Sequence, residues 1–198
     1  SAMRSRETFG TSGPYIEPRF FAGWDLAEDI CSTNSFLKRS YAGGVPMGSI
    51  IKNIEGKTSS PVFVASAVRD PSEDSTPLQK LQIIKGWIDE KGNAHQRIFD
   101  VAGGGMNATV DRSNCSQSGT GYNQLCTTWT DPDFSPDVSG VYYLRVLENP
   151  SCRWSQFDCL ALDPKTRPKT CSDPSIPSII QERAWTSPIW YYSKTEEE

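Results

Sequence analysis

The chain has 198 residues, 20 basic and 24 acidic side chains and a net charge of −4; with no basic run or stripe, it is not built to hold nucleic acid. No stretch approaches the roughly 18 consecutive apolar residues of a membrane span, and one histidine, His95, leaves no multi-histidine metal centre within these residues. Six Trp, seven Tyr and eight Phe beside 15 Gly and 14 Pro point to short strands joined by turns, in a chain long enough to bury a core without staples.

In chain order, residues 19–24 read as a first strand. Thr33 or Asn34 then caps a short helix over 36–42, stopped by Gly43-Gly44. Residues 61–69 (PVFVASAVR) form a strand apolar on both faces. Residues 81–88 and 97–101 form a hairpin, because Asp89-Glu90-Lys91-Gly92-Asn93 has the acidic start and late glycine of a tight loop. Residues 102–140 show almost no periodicity and read as one long irregular segment that must be tied down. Strands follow at 142–148 and 189–192. The pattern predicts an all-β sandwich of roughly six to nine short strands, with one or two short helices and a long disulfide-tied loop.

The cysteines are Cys31, Cys115, Cys126, Cys152, Cys159 and Cys171. No two have C-x-x-C spacing, which argues against a zinc ribbon or a redox motif. The number is even, and Cys115, Cys126, Cys152, Cys159 and Cys171 lie in loop-like sequence, so disulfides and an oxidising compartment are expected, periplasmic or extracellular. Fifteen connectivities are open. The pairing expected on local grounds is Cys115–Cys126, which would close a polar loop and contribute about 3 kcal/mol by chain entropy.

The remaining motifs favour structure over chemistry. Gly103-Gly104-Gly105 lacks the Lys-Ser/Thr of a phosphate loop. Asp131, Asp133 and Asp137 read as turn formers rather than calcium ligands, given their spacing and the intervening prolines. His95 reads as an exposed strand residue, and no G-x-S-x-G elbow is present. Residues 137–143 suggest the acidic turn and tyrosine corner of a sandwich. Asn107 and Asn114 head glycosylation triplets. The tract from Trp185 to Tyr192, with Trp154, supplies either core aromatics or a stacking platform for sugar rings. Glu196-Glu197-Glu198 reads as a solvated end. Ser1-Ala2-Met3 reads equally as a scar of expression or as the end of a native helix.

Five ordered segments carry a wider resemblance. They are RETFGTSGP from Arg6 with RFFAGWD from Arg19; GVPMG from Gly44; PLQKLQIIKGW from Pro77; YYLRVLENPSCRW from Tyr142; and QERAWTSPIWY from Gln181. Together they resemble the C-terminal third of proteins in the domain of unknown function family 3604. Members of that family are similar, in their N-terminal part, to PHP-type metal-dependent phosphoesterases. The resemblance implies that residues 1–24 are a remnant of the preceding PHP-like domain with a first strand, and that 25–198 form the β-sandwich. It also implies that any divalent metal belongs to that other domain, since no family metal motif is present here. The expected function is a non-catalytic domain of a larger exported, metal-dependent hydrolase, with no cofactor of its own and the N-terminal domain as partner. Arg153 and Trp154, in a family-like segment outside any strand, are the candidates for facing that neighbour or shaping the mouth of its pocket. The alternative is an independent module binding carbohydrate or cell-envelope polymer.

Overall fold

The computed structural model describes residues 2–72, 75–105 and 107–193; Ser1 and the Glu196-Glu197-Glu198 end lie outside them. Its elements are α1 (Ala2–Ser5), β1 (Phe9–Thr11), β2 (Glu17–Gly23), α2 (Phe36–Gly43), β3 (Val45–Pro46) and β4 (Ile50–Lys52). Then come β5 (Val62–Val68), β6 (Leu78–Ile88), β7 (Ala94–Gly103), β8 (Thr109–Val110), β9 (Gln117–Ser118) and β10 (Gln124–Thr130). The chain ends with β11 (Gly140–Glu148), β12 (Ser151–Cys152), α3 (Trp154–Ala161), β13 (Ile179–Ile180), β14 (Arg183–Thr186) and β15 (Ile189–Tyr192).

The molecule is an all-β sandwich. A seven-stranded sheet faces a four-stranded sheet ordered β10-β5-β2-β3, and two-stranded ribbons join β12 to β13 and β8 to β9. In the larger sheet β11 lies against β6 along one side. Its other side is shared by β14 and β15. These two strands are separated by Ser187-Pro188, where a proline cannot donate to the ladder. The Leu144 backbone N–H, left over at that break, donates to the Thr186 hydroxyl at 3.0 Å.

Strand alternation decides the core. Tyr142, Leu144 and Val146 of β11 meet Leu81 and Ile83 of β6, Phe20 and Ala22 of β2, and Phe63, Ala65 and Ala67 of β5. The two-faced apolarity of β5 has a specific cause. Its other side, with Val62 and Val64, lies in a second cluster with Phe21 of β2, Leu26, Ile30 of the 3₁₀ turn Glu28–Ser32 and Phe36 of α2. The helix is where the sequence places it, but the residue at its N-cap is Ser35, which makes no side-chain capping bond. The β6–β7 turn closes through Asp89, whose carboxylate accepts the N–H groups of Lys91 and Asn93 at 2.9 and 2.8 Å.

Two expectations fail together. The irregular segment 102–140 contains β10, a seven-residue strand paired along its whole length with β5. QLCTTWT looks polar, yet β-branched threonines and an aromatic suit a half-buried pleated surface. Cys126 is part of that strand and is bonded to Cys31 in the 3₁₀ turn, not to Cys115. Cys115 is bonded to Cys152, and Cys159 to Cys171. The expected Cys115–Cys126 loop cannot form because a paired strand holds one end, while Cys115 sits in a left-handed turn with φ 59°. The three disulfides fit an oxidising, non-cytoplasmic environment.

Cys31–Cys126 spans 95 residues and Cys159–Cys171 only 12. Chain entropy assigns them about 4.7 and about 3 kcal/mol. Replacing Cys31 and Cys126 by Ser together should lower unfolding free energy more than the same change at Cys159 and Cys171. Denaturant titration of the two variants checks the order, and non-reducing peptide mapping should recover the 31–126 linkage.

Candidate functional site

The segment after β11 leaves the sandwich. β12 and β13 form a short ribbon, and α3 starts directly after Arg153, whose extended backbone (φ −69°, ψ 152°) ends the strand and opens the helix. Arg153 N–H donates to Ser178 O at 2.9 Å, and Arg153 O accepts Gln156 N–H at 2.9 Å. The helix is only eight residues long, too short to be stable by itself. It is held instead by its surroundings. Cys159–Cys171 anchors its last turn, Gln156 Nε2 donates to Arg112 O, and Arg167 donates to the carbonyls of Leu160 and Leu162.

No residue of α3 is buried. Trp154 is 73% exposed and Phe157, one turn on and on the same face, 51%. Leu162, just past α3, is exposed as well. Of the two residues singled out from the sequence, the structure places Trp154 in solvent and Arg153 half-buried at the helix start. Phe157 was missed, although its spacing of three from Trp154 was the available signal. This gives an apolar surface fixed in place by disulfides and left uncovered by the described residues. Exposed large aromatics on a rigid element mark interaction sites.

The aromatic tract at the C-terminal end does not form one platform. Alternation along β15 turns Tyr191 inward, where it is 1% exposed and its hydroxyl donates to Pro136 O at 2.8 Å. Trp185 and Trp190 face outward but carry guanidinium groups over their rings, Arg183 at 6.0 Å and Arg6 at 5.1 Å. Arg6 reaches Trp190 because Gly48, at φ +87°, brings its backbone against residue 6, where a Cβ would lie 2.3 Å from Arg6 O. Tyr192 is open to solvent.

A cleft of about 840 Å³ runs past Trp190 and Tyr192, between the β6–β7 turn and the segment leading into β11. Gly86 and Val141, paired across the sheet, lie on its floor. The lone His95 borders it, stacked on Trp87 at 5.3 Å and bonded through Nε2 to Asp89 at 2.8 Å. Among the described residues no nucleophile is bonded to it. Two of the other turn aspartates, Asp131 and Asp133, are committed to this chain's own cations. Asp131, fully buried, binds Lys85 and accepts the Tyr142 hydroxyl at 2.7 Å, while Asp133 binds Arg97. Burial, and then the hydrogen bond to Asp131 and its charge, push the Tyr142 hydroxyl far above its ordinary range.

The model of the family described as "protein of unknown function (DUF3604)" matches residues 1–193. The chain belongs to the DUF3604 family. None of the curated proteins matches it. The match takes in all five segments from which the resemblance was read.

One titratable group of this DUF3604 chain stands out for its burial. Glu148, at the end of β11, is 2% exposed, and among the described residues its Oε1 has no hydrogen-bond partner. Burial first, then the negative charges of Glu182 and Asp70, push its carboxyl up to about 8, against a smaller opposing effect of Arg69. The folded state therefore holds a proton that the unfolded state releases in the ordinary carboxylate range. A pKa raised on folding makes stability fall as pH rises from the ordinary range through about 8. Glu148→Gln removes this penalty. The variant should match the parent at pH 5 and exceed it at pH 9 by about 2–4 kcal/mol, read from denaturant unfolding at the two pH values.

Proposed function

We propose that this chain is the non-catalytic β-sandwich domain of a longer, exported DUF3604 polypeptide, and that its disulfide-clasped lobe packs against a catalytic neighbour. On this reading the neighbour is a PHP-like, metal-dependent hydrolase domain in the periplasm or outside the cell. The metal ligands lie there. The segment up to Trp24 links the two domains, with β1 and β2 already built into the sandwich. The observation that carries the proposal is Trp154, 73% exposed on a helix whose position is set by covalent bonds rather than by burial.

Two further features support it. Lys85 pairs with buried Asp131 inside the sandwich, and Arg97 pairs with Asp133 at its surface. They build the sandwich rather than present chemistry. The carbohydrate-module reading rests on exposed aromatics forming a stacking platform for sugar rings. That platform is divided by the burial of Tyr191 and by the position of Trp154 on a different element.

Truncating Trp154 and Phe157 to Ala should leave the isolated chain's melting temperature within about 2 °C, since surface changes without buried partners stay near ±0.5 kcal/mol. The same pair, or Arg153→Ala, in the longer polypeptide should lower its hydrolytic activity at least tenfold. Unchanged activity in both variants would overturn the packing role.

A further inference from the structure

The cleft beside the β6–β7 turn uses other residues than the Trp154 face and has its own chemistry. Its floor is apolar, from Gly86, Val141 and Trp190, and Ile88 (62% exposed) and Tyr192 (46%) stand beside it. Gly86 keeps the floor open: a Cβ there would already meet Val141 Cγ1 at 3.0 Å. Among the described residues, the charged side chains that line the cleft are of one sign: Asp89, Glu90 and Asp137 line it and no lysine or arginine does, Arg6 lying over the Trp190 ring without lining the cleft. Asp89 is occupied in closing its turn and in holding His95. Asp137 is exposed, and its charge is felt by the Tyr191 hydroxyl, which burial and then Asp137 push up to about 12. An anionic ligand is repelled from such a groove. A cation on an apolar stem meets carboxylates at the rim and aromatic and aliphatic surface below.

A second feature narrows the occupant. Ala94 and His95, which border the cleft, begin β7, and β7 pairs only with β6 among the described strands. Along its ten residues, alternate backbone N–H and C=O groups point to an outer edge with no partner strand among the described residues. Free sheet edges of this length are templates for an added strand. The cleft and the edge meet at residues 94 and 95. An extended chain laid along β7 there would carry its side chains to the acidic rim.

We propose that the cleft and the free edge of β7 form a docking site for an extended basic peptide segment. Its backbone adds to β7, and an arginine or lysine side chain enters the groove toward Asp137. Charge complementarity selects for the cation, and the strand edge selects for a peptide over a free amine or a sugar.

The test uses a blocked arginine–valine alternating hexapeptide, its glutamine–valine counterpart and cellohexaose. Tryptophan fluorescence and amide hydrogen exchange of the intact chain give the readouts. The arginine peptide should bind at least tenfold more tightly than the glutamine peptide, weaken at 0.5 M salt, and slow exchange at residues 94–98. Asp137→Asn should weaken it at least threefold, while Asp158→Asn on α3 should leave it unchanged. Equal binding of the two peptides, an equal loss from Asp158→Asn, cellohexaose binding as tightly as the arginine peptide, or no slowed exchange at β7 would each overturn the proposal.

Discussion

The burial of one row of side chains on β11 governs this molecule. Tyr142, Leu144 and Val146 are at most 1% exposed, and the strand that carries them has neighbours on both sides. Because a β-strand has a period of two, fixing that row fixes every other residue on the opposite face. Val141, Tyr143 and Arg145 are committed to the outside by the same choice that sinks Tyr142. The buried polar group that follows from this is held together by charge. The Tyr142 hydroxyl enters a low-dielectric region, Asp131 accepts it, and Lys85 neutralises Asp131. A buried pair of that kind adds little net stability but cannot lose one member without exposing the other unpaired.

Peripheral parts obey a different rule. α2 and the 3₁₀ turn cover the smaller sheet by hydrophobic burial, with Cys31–Cys126 fastening them to β10. The lobe built on β12, β13 and α3 has few buried side chains and two disulfides. Covalent closure there replaces a core and leaves Trp154 and Phe157 facing outward. Such a surface can be rigid and unburied at once, as a docking face requires, since a pre-ordered surface loses less entropy on association.

The strands whose apolar pattern is strong were legible in the sequence. PVFVASAVR and the hairpin around Asp89–Asn93 needed only periodicity and turn chemistry. β10 was not legible, because QLCTTWT buries few side chains deeply and takes its order from seven residues of pairing with β5, a partner more than fifty residues away. The disulfide pairing failed for the same reason: Cys115 and Cys126 are close in sequence, but non-local pairing sends them to different parts of the fold. The sequence placed Trp154 outside every strand pattern, and the structure adds that it is exposed. The cleft was hidden, since Gly86, Asp137 and Tyr192 come together only through the registers of β6, β11 and β15. A lone glycine inside a strand was its one trace in the sequence. Glu148 gave no signal either, because its burial depends on where β11 ends.

The central claim is that the lobe carrying Trp154 is a contact surface for a neighbouring domain of the same polypeptide. Amide hydrogen exchange compared between this chain alone and the same residues within the longer DUF3604 polypeptide tests it most directly. The account predicts added protection at residues 153–162 in the longer polypeptide, with the β5 and β11 amides unchanged. Equal exchange of residues 153–162 in both would contradict it.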